Sequence, residues 1–315
     1  LSGLAEEFQD LTRTTDLSVS GDVALNLADT VLATGRIGVS LKSGLSIDDG
    51  SIAVDNASLL LVELSDLDVF VGSGAEFTRD PDSAITGIDS AGAVGFSVSD
   101  ADLDLAVLRE APPTAGGATA RSWLGLAGSL ETIAPVGLPG GITIEVNNLT
   151  VLFNGPDSST TPERIDWQAL AEQDDDLFGL DDTGLAELSS GTSLSVAGDL
   201  LVSVDNITIS GSVALEKRTL NLELDGDVGA ESYSALTFGA KNLRAFVGTG
   251  DADQDGVFGV DSNTVLETNG ALGVAIRLDE LALALIAPVP TAGEATTKNY
   301  LSLKASGNAS LIGVK

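Results

Sequence analysis

Carboxylates are the groups with which this chain could do chemistry. Of its 315 residues, 47 are Asp or Glu against 15 Lys or Arg, and Cys and His are absent, for a formal charge of −32. No thiolate nucleophile, imidazole base, zinc finger or Ser-His-Asp triad can be assembled from such a set. The clearest acidic pattern is GDADQDGVFGVD at 250–261. Asp251, Asp253 and Asp255 followed by Gly256 match the first half of a DxDxDG calcium loop, where alternate carboxylates and a glycine turn wrap a hard cation. Three Asp at a spacing of two repel one another unless a cation neutralises them, so Ca2+ is expected here. Ser262 stands at position twelve in place of the usual Glu, so Asp261, Glu267 or a backbone carbonyl must complete the shell. A solvated acidic turn is the other reading.

Two further loops are acidic. GAEFTRDPDSAITGID at 74–89 carries Glu76, Asp80, Asp82 and Asp89, a weaker set because the DxDxDG pattern is gone and Arg79 intrudes. EQDDDLFGLDD at 172–182 places six carboxylates in eleven residues, as a solvated linker or a second calcium-stiffened stretch. Four Asn-X-Ser/Thr sequons stand at Asn56, Asn148, Asn206 and Asn308, where a structural role for Asn is the expectation.

The elements that must carry these loops come from a tandem repeat. LSVSGD (17–22) returns as LSVAGD (194–199), and LDVFVGSG (67–74) as LRAFVGTG (243–250). AVGF (93–96) returns as ALGV (271–274), and PTAGGATARSWLGL (113–126) as PTAGEATTKNYLSL (290–303). All four lie 176 to 178 residues apart, which predicts a unit of about 177 residues. Residues 1–16 then end a preceding junction. Residues 17–193 form a first unit, closed by an acidic junction at about 156–193, and residues 194–315 a second unit without a counterpart of ITIEVNNLTVLFNG (142–155). With Leu1 first and no Met anywhere, a piece of a longer array is expected.

Within the unit, apolar residues alternate with polar ones, the period of half-buried strands. Leu17, Val19, Val23 and Leu25 share one side while Ser18, Ser20, Asp22 and Asn26 share the other. A polar interruption recurs inside such runs, in LSDLDVFV, VSDADLDLAVL, VNNLTVLF, VDNITI, AKNLRAFV and LDELALAL, and predicts a β-bulge or tight turn that re-phases the strand. Helix is confined to 5–11 and 165–172, with Asp166 as an N-cap for the latter. The expected fold is all-β: an elongated tandem-repeat rod of long, mostly antiparallel strands, with short helices at the junctions. A β-solenoid or a β-sandwich array is the alternative.

The FVGSG (70–74), FVGTG (246–250) and IDW (165–167) motifs resemble those in tandem modules of giant extracellular bacterial surface proteins, of adhesin or biofilm type and often associated with haemolysin-type calcium-binding repeats. The resemblance implies a secreted or cell-surface structural array. The GGxGxD nonapeptide of the calcium roll is absent here, so that mechanism is not carried over.

The charge excludes nucleic acid as a partner, since binding it depends on Lys and Arg. Apolar runs such as 281–289 fall short of the ~20 residues a spanning helix needs, so no membrane insertion is expected. An enzyme is not expected either: a glycosidase groove needs aromatic platforms, and the chain has two Trp and two Tyr. The expected function is a structural repeat module forming an acidic, calcium-stabilised rod or filament, its partners neighbouring units and other copies. The alternative is an adhesin module that binds glycan or a neighbouring cell. A lipid-carrying β-groove is a more distant option that requires an exposed apolar face.

Overall fold

The computed structural model describes residues 14–112, 120–138, 142–157, 163–173, 178–223, 231–249, 272–289 and 299–313. Eleven strands form one open antiparallel sheet. In chain order the strands are β1 (Thr15–Leu27), β2 (Val31–Asp48), β3 (Ala53–Ser73), β4 (Glu76–Arg79), β5 (Ile85–Asp89), β6 (Val94–Arg109), β7 (Ser122–Val136) and β8 (Ile142–Gly155). They continue with β9 (Thr192–Val204), β10 (Ile207–Leu222), β11 (Glu231–Thr249), β12 (Leu272–Pro288) and β13 (Tyr300–Ile312). The sheet runs β1-β2-β3-β6-β7-β8-β9-β10-β11-β12-β13, and β4 and β5 pair as a separate hairpin. The expected all-β, antiparallel class is what forms. β9 to β13 repeat the order of β1, β2, β3, β6 and β7, with Leu194 standing where Leu17 does.

Four of the polar interruptions are bulges, while Asp205 and Asn206 of VDNITI form the β9–β10 turn. Asp66, Asp100, Asn148 and Asn242 adopt left-handed φ values of 51–53°, a region Asp and Asn tolerate better than other side-chain-bearing residues. Pairing is irregular or skips a residue around each of them. The bulges fall in neighbouring registers, so a bulge line crosses the sheet. Beside it, the Leu that follows a bulge often lies over a glycine of the adjacent strand. A Cβ on Gly35 would meet Leu67 Cδ2 at 2.6 Å, and one on Gly211 would meet Leu243 Cα at 2.8 Å.

The FVG motif also has a structural reason. Phe70 is buried with its ring across the Gly72–Gly95 cross-strand pair, where added Cβ atoms would stand 2.8 and 2.9 Å from the ring. Phe246 repeats this over Gly248 and Gly273, at 2.7 and 3.0 Å. An aromatic ring thus covers backbone that two glycines leave bare.

Most of the core lies on one side of the first unit. Leu59 and Leu61 of β3, Ala106 and Leu108 of β6 and Trp123 of β7 are buried there, under the segment that follows β8. That segment contains α1 (Trp167–Ala171) and a 3₁₀ turn at Gly184–Glu187. Asp166 caps α1 as expected, accepting from Ala169 N at 3.0 Å; the other expected helix, at 5–11, lies outside the described residues. The junction differs from a solvated linker, because its acids alternate with Phe178, Leu180, Leu185 and Leu188, all buried against the sheet. It is a lid.

Asn154 and Asp166 hold the lid in place. Asn154, fully buried, donates to Ile165 O at 2.8 Å and Ser189 O at 3.1 Å and accepts from Trp167 Nε1. Asp166 accepts from Ser190 N, and its own N–H reaches Asp49 Oδ2 at 2.8 Å, tying the lid to the β2–β3 turn. Gly125 lets Trp167 lie flat on β7, since a Cβ there would stand 2.8 Å from the indole.

Candidate functional site

The strongest concentration of perturbed charge among the described residues is an acidic cleft between this sheet face and the lid. Glu63 of β3 and Asp104 of β6 are direct cross-strand partners, so their carboxylates emerge side by side. Asp102, Asp182 and Glu187 complete the acidic lining of a cavity of about 420 Å³. Asp104 Oδ2 accepts from Gly184 N of the 3₁₀ turn at 2.8 Å. Burial raises the Glu63 carboxyl above its usual range, with Asp104 and Asp182 adding to the rise and Lys42 opposing it. Burial also raises Asp104, against the Gly184 hydrogen bond. These two groups hold protons more tightly than free carboxylates do. Ser65, Ser129 and Thr150 supply hydroxyls nearby. Such a cleft can accept hydrogen bonds through its carboxylates. Among the described residues, no three acidic side chains gather as a metal-holding group.

The acidic loop of the first unit forms the β4–β5 hairpin. Glu76 and Asp89 face each other across the β4–β5 hairpin. Asp80 Oδ1 accepts from Ala84 N at 2.8 Å, and Asp89 Oδ1 accepts from Ala91 N at 2.9 Å. Arg79 donates to Ser83 O in the same turn, and Asp82 is exposed beside it. Two of the four carboxylates therefore brace turns, and Phe77 and Ile88 between them pack on Leu32 and Phe70. Asp251, Asp253, Asp255, Asp261 and Glu267 lie outside the described residues. Of the sequon residues, Asn56 and Asn148 hold left-handed bulges, Asn206 sits in the β9–β10 turn, and Asn308 lies within β13 opposite Arg277.

A second polar cluster sits on the bulge line, where Asp199 accepts from Ser212 Oγ at 2.6 Å and Asn148 Nδ2 at 2.9 Å. At the strand ends, Arg121 pairs with Glu110 at 3.2 Å and stacks 5.0 Å over Trp123. Its hydrogen bond lowers the Glu110 carboxyl. Trp123 donates to Glu163 O at 3.1 Å, so this group anchors the lid.

Sequence reasoning missed Glu63, Asp104 and Asp182 as a group. Glu63 and Asp104 lie 41 residues apart, and the return of Asp182 depends on the lid folding back. One available signal was a charged residue on the same alternation face as Leu59 and Leu61. No protein-family model matches the chain, and no curated protein or solved structure matches it either.

Proposed function

We propose that the chain is a structural repeat module in which successive units join edge to edge into one growing sheet. The observation that carries this reading is the pairing of β8 with β9 across the repeat boundary, from Ile142 opposite Val204 to Phe153 opposite Leu194. The sheet continues there without a break. Among the described residues its outer strands are β1 and β13. β1 is the sequence counterpart of β9 and β13 that of β7, and both β7 and β9 pair with β8. A β8-type strand therefore suits either edge. Unpaired edges are templates for further strands.

The acid load and the absence of Cys support a secreted or cell-surface setting, as does the resemblance of the FVGxG and IDW motifs. The spacing of Asp251, Asp253 and Asp255 supports calcium as a stiffening ion in the second unit. Small-angle scattering of chains carrying one, two and three added units tests the array. A constant cross-section, with length growing by roughly 29 Å per six strands at about 4.8 Å each, is the expected result. Independent beads on flexible joints would overturn it. For calcium, a melting temperature unchanged by EDTA would remove the ion from the proposal.

A further inference from the structure

The sheet has a second face that no described segment covers. Along β3, β6 and β7 the residues alternating with the core are Leu60, Val62, Leu103, Leu105, Leu124 and Leu126, all half-buried. Cross-strand registers make this face continuous. Val39, Val62, Leu105, Leu126, Phe153 and Leu194 oppose one another in turn through six strands and across the repeat boundary. Beyond the bulge line, Val204, Ile207, Val247, Val274 and Leu311 form a similar row. On β13, Leu301 and Leu303 are 68% and 66% exposed.

The charged strand residues point the other way. Arg36, Glu63, Asp104, Glu145, Asp199 and Glu280 share the lid face by register, and away from strand ends and the bulge line Lys217 is the exception. A neutral aliphatic surface of this size is far beyond the patches that soluble monomers leave open.

We propose that this aliphatic face is an interface between two copies of the chain, packed sheet on sheet with the acidic lid faces outward. Three observations favour a second copy as the occupant. The first is area: eleven strands at about 4.8 Å and 13 residues at about 3.3 Å give about 2,000 Å² per copy, well within what a permanent dimer buries. The second is charge. Because the acids lie on the opposite face and in loops, two copies meet with little repulsion in spite of the net −32. The third concerns lipid. Trp123, Tyr233 and Tyr300 lie on the lid face and Trp167 in the lid, so among the described residues the open face carries Phe96 and Phe153 but none of the Trp or Tyr that rim a lipid-facing sheet. The net charge also repels anionic headgroups.

The interface is independent of edge-to-edge joining and is tested on the 315-residue chain itself. Sedimentation over a wide concentration range is expected to find a dimer. Leu301→Glu/Leu303→Glu alters side chains already open to water in the single chain, so its fold is retained by circular dichroism while dimer affinity falls at least tenfold. Leu105→Glu, at the centre of the face, falls further. Ser302→Glu, on the opposite face of β13, leaves the dimer intact. A chain monomeric at every concentration overturns the proposal, as does a monomer carrying co-purified lipid in native mass spectrometry. A dimer indifferent to the folded Leu301→Glu/Leu303→Glu variant overturns it too.

Discussion

Neighbouring residues on the same strands meet opposite fates. On β3, Leu59 and Leu61 are each 2% exposed under the lid, whereas Leu60 and Val62 are only partly buried. On β7, Trp123 is buried and Leu124 is not. The lid face is the more polar of the two, yet it holds the chain's main core. The open face is nearly pure aliphatic and stays uncovered within the described residues. Hydrophobicity alone therefore did not choose the face that the chain buries. The choice went to the face able to bond the lid's backbone, through Asn154, Asp104 and the Trp123 indole. A lid crossing the aliphatic face would leave its peptide groups without partners, at about 1–3 kcal/mol for each buried group.

Perturbing this contrast yields a graded set of outcomes, best measured in the Leu301→Glu/Leu303→Glu background where the sheet is single. The largest is expected from Trp123→Ala, which loses a fully enclosed indole and weakens the fold by about 3–5 kcal/mol in urea unfolding. Leu105→Ala on the open face costs about 1 kcal/mol there, because the side chain is only partly buried. Equal losses would abolish the distinction between the faces. Next come Phe70→Ala and Phe246→Ala, at about 3 kcal/mol each, since both uncover a glycine pair. A large loss in one unit and none in the other would show that the two copies differ in what holds them.

Asn154→Ala follows, at about 1–3 kcal/mol, removing the side-chain partners of Ile165 O and Trp167 Nε1, while Ser189 O keeps the Thr192 N–H. Limited proteolysis of this variant should cut first within 163–190, and unchanged cleavage would mean the lid is held by packing alone. Glu63→Gln gives the smallest effect. Burial keeps the Glu63 pKa raised in the folded state, so its contribution is most favourable below the ordinary carboxylate range and is lost as pH rises through the raised value. The variant should melt higher than the parent at pH 7, with the difference vanishing in acid. A constant difference across pH would remove the buried proton from the account.

Much of this was legible before folding. The alternation of Leu17, Val19 and Val23 with Ser18, Ser20 and Asp22 is a local signal, and it named the strands. The polar interruptions at Asp66, Asp100, Asn148 and Asn242 marked the bulges, because few other residues tolerate left-handed backbone. The acidic 172–182 stretch read as a linker, because its buried Phe178 and Leu180 are separated by charges and carry no clean period. The Glu63–Asp104 pair was invisible for a different reason: cross-strand neighbours are set by register, and register depends on the whole hairpin.

By itself, the sequence determined that this is an internally repeated β protein whose strands alternate apolar and polar residues. Period-two patterning and self-similarity are properties of the chain alone. Only the tertiary structure decided that β8 joins β9 through the repeat boundary, that the bulges fall into line, and that the junction closes over the polar face. Each depends on groups far apart in sequence finding hydrogen-bond partners together, as Asp166 does with Asp49 across 117 residues.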